Sequence, residues 1–170
     1  ARGRDGRADG SEGYFWTESA GTLPLGFLPG GTDSWAHAVA GDRIVGQSNK
    51  ENGGAFPCVW TRAKDNALAW NISELPLKGK GGVAFAISPD GKWIVGEEDF
   101  RPVAWVERDG KWEHQEVSQS FGGLRAVNNK GEAAGFLLGA VSKVAVYVSI
   151  PEKKIVDLAW GQTLGYDNSE

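Results

Sequence analysis

Few side chains in this sequence carry chemistry, and their neighbours decide what each can do. The acidic run Glu97-Glu98-Asp99 offers oxygen ligands of the kind a calcium ion takes. It follows an apolar Ile-Val-Gly segment, where a solvated loop is the competing expectation. Asp90-Gly91 has no second acidic residue at calcium-loop spacing and reads as a turn. Glu113-His114 sets an acid beside a base, but adjacent residues of a strand point to opposite faces. The expectation for His114 is therefore a side chain facing solvent. His37, close to Trp35 and next to Ala38, is expected to pack near an inner strand. Cys58 lies within the apolar run Phe56 to Trp60, which predicts a buried, unreactive thiol. The pairs Gly53-Gly54, Gly81-Gly82 and Gly122-Gly123 lack the strand–loop–helix setting of a phosphate loop. No catalytic residue, metal ligand or cofactor follows from these groups.

The tryptophans leave more room for function. Trp35 stands beside Asp33 and Ser34, Trp70 beside Asn71, and Trp112 beside Glu113. An exposed indole next to a polar side chain can stack on a sugar ring and hydrogen-bond its hydroxyls. Asp33, Trp35, Trp70, Asn71 and Trp112 are thus the candidate ligand-binding residues, with burial between sheets as the alternative.

What must position these residues is a repeat. Ala38-Val39-Ala40-Gly41-Asp42-Arg43-Ile44-Val45-Gly46, Ala86-Ile87-Ser88-Pro89-Asp90-Gly91-Lys92-Trp93-Ile94-Val95-Gly96 and Ala126-Val127-Asn128-Asn129-Lys130-Gly131-Glu132-Ala133-Ala134-Gly135 share one pattern. A small and an aliphatic residue precede a polar turn, and a strand then closes on glycine. Each is followed by a strand closing on an aromatic residue, at Trp60, Trp105 and Tyr147, with an earlier copy at Trp16. A period of roughly 40–45 residues with several short strands is what a β-propeller blade requires. Gly91 and Gly131 suit tight hairpin turns. Gly46, Gly96 and Gly135 are expected at the ends of second strands, where a bulge or close packing excludes a side chain.

The fold expected is all-β: a β-propeller of four-stranded antiparallel repeats, about three and a half blades in this chain. Residues 1–11 read as a flexible leader, with units at 12–33, 34–78, 79–120 and 121–160 and a further unit starting at 161–170. Aromatics at the repeated position are expected to fill the gaps between blades. An arc of this kind leaves open edges, so it belongs to a larger propeller or pairs with a second copy.

Composition narrows the function further. A net charge of −4 without a basic stripe argues against nucleic-acid binding. One cysteine and two histidines exclude an intramolecular disulfide and make a multi-cysteine or histidine-rich metal centre implausible. No apolar run is long enough to span a membrane.

The run Gly21-Thr22-Leu23-Pro24-Leu25-Gly26-Phe27-Leu28-Pro29-Gly30-Gly31-Thr32-Asp33-Ser34 resembles the DLG-x-LPGG-x-S stretch of bacterial HAF-type extracellular repeat proteins. Ala38-Val39-Ala40, Asp90-Gly91, Ile94-Val95-Gly96 and Gly13-Tyr14-Phe15-Trp16-Thr17 match the steps that follow it in those repeats. The resemblance covers nearly all of residues 12 to 160. It implies a β-propeller-like fold and a secreted or surface-attached protein, with no established catalytic residues. The function expected is non-enzymatic recognition or adhesion outside the cell, with a glycan or a surface protein as ligand. A carbohydrate-active enzyme and a purely structural assembly repeat are the alternatives.

Overall fold

A computed structural model describes residues 10–51, 53–139, 142–159 and 163–164. Runs of β-branched and aromatic residues such as Ile44-Val45, Ile94-Val95 and Val103 to Val106 favour strands, and glycine-bearing turns separate them. All regular elements among the described residues are strands, in four antiparallel sheets. The first sheet holds β1 (Tyr14–Thr17) and β2 (Gly21–Pro24). The second holds β3 (Ser34–Ala40), β4 (Arg43–Lys50), β5 (Gly53–Arg62) and β6 (Trp70–Glu74). The third holds β7 (Gly82–Ile87), β8 (Trp93–Glu98), β9 (Arg101–Arg108) and β10 (Lys111–Glu116). The fourth holds β11 (Gly122–Val127), β12 (Glu132–Leu138), β13 (Lys143–Ser149), β14 (Lys154–Asp157) and β15 (Thr163–Leu164). In every sheet each strand pairs with its neighbour in sequence.

The sheets stack in chain order through three apolar clusters. Leu25, Leu28, Ile44, Cys58 and Trp60, with Phe15, fill the space between the first and second sheets. Val45, Val59 and Leu75 meet Ala84, Ile87, Ile94, Val103 and Trp105 between the second and third. Ala86, Val95, Ala104 and Val117 meet Leu124, Ala133, Val146, Val148 and Ile155 between the third and fourth. The connections between sheets take part: the Trp105 indole N–H donates to the Pro76 carbonyl at 2.7 Å. An ion pair adds a link at the other end, where the Arg43 guanidinium lies 2.5 and 2.9 Å from the two Glu107 carboxylate oxygens. That guanidinium holds the Glu107 carboxyl below the usual carboxylate range.

One backbone device recurs. The pairing of β3 with β4 shifts register between Ala36 and Ala38, that of β7 with β8 between Ala84 and Ala86, and that of β11 with β12 between Leu124 and Ala126. Each shift is a β-bulge holding one extra residue: His37, Phe85 or Arg125. Gly46, Gly96 and Gly135 lie across from them. A Cβ on these glycines would overlap the carbonyl oxygens of Trp35, Val83 and Gly123 respectively. The bulge is as the sequence pattern anticipates, but the glycines sit inside the second strands rather than at their ends.

Other expectations need correcting. Four equivalent backbone bonds align the sheets: Leu25, Leu75, Val117 and Leu158 donate to Gly13, Pro57, Pro102 and Ala145 at 2.9–3.1 Å. Counting three residues on from each acceptor places Trp16, Trp60, Trp105 and Val148 together. Tyr147 is therefore one residue out of register and points to the other face. Thr163 and Leu164 pair with β14 and extend the fourth sheet instead of opening a new one. Ser11, assigned to the leader, is tied in: its carbonyl accepts from Ser34 N–H and its N–H donates to the Asp33 carboxylate, both at 2.8 Å. The turns at Gly91 and Gly131 have the expected positive φ, 75° and 73°.

The close approach at the bulge gives a direct test. Gly96→Ala should cost about 3 kcal/mol of stability, as overpacking against backbone does. Gly41→Ala, with a φ of 56° but open space around it, should cost about 1 kcal/mol. Urea denaturation distinguishes them, and equal losses would contradict the bulge account.

Candidate functional site

A groove of about 370 Å³ lies between β1 and β3. Tyr14, Phe15 and Trp16 form one wall, Ala36, His37, Ala38, Val39 and Ile44 the other, with Arg62 and Trp70 at one end. Alternation along β1 turns Phe15 inward, where its ring meets Trp70 edge-on at 5.3 Å, and leaves Tyr14 and Trp16 in solvent. The Arg62 guanidinium lies 4.4 Å from the Trp70 ring centroid, a cation–π contact. The Trp70 indole nitrogen is buried with no hydrogen-bond partner.

The exposure of this groove is unusual when compared with the rest of the same molecule. On the backward face of β1, Trp16 is 68% exposed, whereas Trp60 and Trp105 at the equivalent position, each packed on the preceding sheet, are 0% exposed. Val39 is 67% exposed, and its counterpart Ile87 only 8%. Ala36 is exposed as well, while Ala84 and Leu124 are buried. In the third sheet these positions are covered by Val45, Ala38 and Ala40 of the preceding β3–β4 hairpin. Among the described residues the first sheet has only β1 and β2, and none of them forms such a hairpin over β3.

The bulged residues form a second feature. His37 and Phe85 rings lie 5.2 Å apart, and the Arg125 guanidinium sits 3.7 Å from the Phe85 centroid. Arg125 also pairs with Glu97 at 2.9 Å. Loss of hydration on the Phe85 side and the charge of Arg125 hold the His37 imidazole below its usual pKa.

The candidate ligand-binding residues do not converge. Trp35 is on β3, the first strand of the second sheet, and Trp70 and Asn71 on β6, the last strand of the same sheet. Trp112 is on β10 of the third sheet, half-buried with the Arg43 guanidinium 5.3 Å from its ring. The Asp33 carboxylate accepts from the Thr32 hydroxyl, the Ser11 N–H and the Asn49 amide, which together hold its pKa low. Only Trp70 reaches the groove.

His114 departs from expectation. Its side chain is 6% exposed, and Nε2 lies 2.6 Å from the Glu98 carboxylate, itself 7% exposed. The other Glu98 oxygen accepts the N–H of Lys78 at 2.9 Å and that of Gly79. Glu113 and His114 do point to opposite faces, but the face holding His114 is covered because it pairs across from Trp105 on β9. Glu98 sits on the wall of a cavity of about 190 Å³ that Asp99, Lys78 and Glu116 also line. Among the described residues no group of three or more His, Cys, Asp or Glu is arranged to hold a metal ion. Cys58 is buried as expected, and burial pushes its thiol pKa far up.

Tyr14, Trp16, Val39 and the bulged Phe85 and Arg125 are not among the ligand-binding candidates the sequence offers. The signal for them was the small-x-x-aliphatic spacing, Ala36 to Val39 and Ala84 to Ile87, which a regular strand would place on opposite faces. Fold and groove together define an all-β chain of repeat-like sheets with an uncovered inter-sheet surface among the described residues. No family model, curated protein or solved structure matches the chain. No described helix is long and apolar enough to cross a membrane.

The buried pair predicts a graded response. Glu98→Ala strands His114 and two backbone N–H groups and should cost about 3 kcal/mol, whereas Glu98→Gln keeps an acceptor and should lose less. Urea unfolding measures both. A Glu98→Ala loss no larger than that of the exposed Glu113→Ala would contradict the assignment.

Proposed function

We propose that the chain is a run of β-propeller blades of the HAF type, working outside the cell or on its surface as a non-enzymatic recognition module. The groove beside β1 is the binding surface, and a polypeptide is the ligand. One observation carries this reading: positions that are buried at two successive inter-sheet interfaces are exposed at the third, around a recess of about 370 Å³. That surface combines apolar side chains with the unpaired backbone edge of β1, and an edge of this kind recruits another strand. A sugar would need a free aromatic face with polar neighbours. Trp70 instead has Phe15 on its edge and Arg62 on its face, and Asp33 is fully engaged. The histidine–carboxylate contact of Glu98 with His114 is buried and supports the fold.

Tryptophan emission tests the reading. Titration with a soluble peptide of alternating valine and threonine should shift emission to the blue in the native chain and not in Val39→Asp. A panel of neutral and acidic oligosaccharides should leave it unchanged. Saturation by a sugar, with the peptide inert, would replace this reading with a lectin-like one.

A further inference from the structure

Resting on that reading, we propose that the polypeptide seated in the groove is a two-stranded β-hairpin of this same repeat, supplied in trans. It would add to the free edge of β1 and lie over Ala36 and Val39.

The molecule contains two worked copies of the arrangement. The β3–β4 hairpin covers Ala84 and Ile87 with Ala38, Ala40 and Val45. The β7–β8 hairpin covers Leu124, with Val127 at its margin, using Ala86 and Val95. In both cases the second strand of the hairpin also pairs along the third strand of its own sheet, β4 with β5 and β8 with β9. β1 is the counterpart of β5 and β9, because Gly13, Pro57 and Pro102 accept equivalent backbone bonds from Leu25, Leu75 and Val117. Among the described residues β1 pairs with β2 alone. One hairpin therefore answers two deficits at once: the unpaired edge of β1 and the uncovered face of β3. The groove continues the inter-sheet interface already formed twice in the chain.

The chemistry of the occupant follows from those copies. Its first strand needs small residues around a bulge, so that the backbone comes close. Its second strand needs an aliphatic residue at the position of Val45 and Val95, followed by glycine across from the bulge. A side chain in place of that glycine would overlap the bulged carbonyl, as at Gly46 and Gly96. A single extended strand could pair with β1 but would leave Val39 in water. Hairpin addition rather than simple strand addition is thus the arrangement that the apolar area favours.

The test uses a synthetic peptide with the sequence of residues 82–98. Gly82→Cys and Glu98→Cys close it by a disulfide across a paired position, and Trp93→Phe removes its own emission. Added to the full chain, it should slow hydrogen exchange of the Tyr14–Thr17 amides by about tenfold or more. Binding should be lost with Val95→Asp in the peptide or Val39→Asp in the chain, where the side chain is exposed and the fold keeps its contacts. No added protection of Tyr14–Thr17 at millimolar peptide, or equal binding by Val39→Asp, overturns the proposal. If the valine–threonine peptide still binds in a Val39-dependent way while the hairpin does not, only the hairpin identity falls. If neither peptide binds, the recognition reading falls with it.

Discussion

The contact on which the structure depends is the approach of a second-strand glycine to a bulged first strand. In a regular strand, residues three apart face opposite sides of the sheet. Ala84 and Ile87 nevertheless belong to the same cluster, while Ala86 belongs to the next one. The extra residue at Phe85 makes this possible, and Gly96 lets the backbones come close enough to form it. The same device at His37 with Gly46 and at Arg125 with Gly135 keeps both halves of each first strand pointed at the correct neighbour. Without it, a one-residue slip would turn every later side chain to the wrong face.

Stacking follows from that register. Each sheet offers one apolar face backward and one forward. Trp60 and Trp105 fill the backward faces of the second and third sheets. Polar links then fix the ends: Arg43 reaches Gly91 and Glu107 across the second gap, and the Asp90 N–H reaches the Asn129 side chain across the third. The row His37, Phe85 and Arg125 is a by-product of the bulges, one extra side chain from each first strand. The groove beside β1 arises where the stacking rule is applied to a sheet with only two described strands.

Much of this was legible in the sequence. The turn residues, the Ile-Val-Gly strands and the periodic tryptophans lie in local patterns, and they anticipated an all-β chain of four-stranded units. Tyr147 misled because an aromatic residue outweighs a valine in any pattern search, yet pairing of β12 with β13 places Val148 opposite Ala133. His114 was misjudged for a related reason. Alternation along one strand says which residues share a face, but whether that face is covered depends on Glu98, 16 residues away, and on the loop at Lys78 and Gly79 that Glu98 holds. The candidate residues were chosen by composition around each tryptophan, and composition does not register that Trp35, Trp70 and Trp112 stand on three different strands. The exposed positions Ala36 and Val39 become informative only beside their buried counterparts, once register makes the comparison possible.

The central claim is that equivalent positions of the repeat are closed where preceding strands cover them and open at β1 and β3, which lack that cover among the described residues. Labelling the eight tryptophans with 5-fluorotryptophan and comparing fluorine spectra in light and heavy water reads this at each ring, with assignments from single Trp→Phe variants. The account predicts a full solvent isotope shift for Trp16 and none for Trp60 and Trp105. A Trp16 resonance as insensitive to solvent as those two would contradict it.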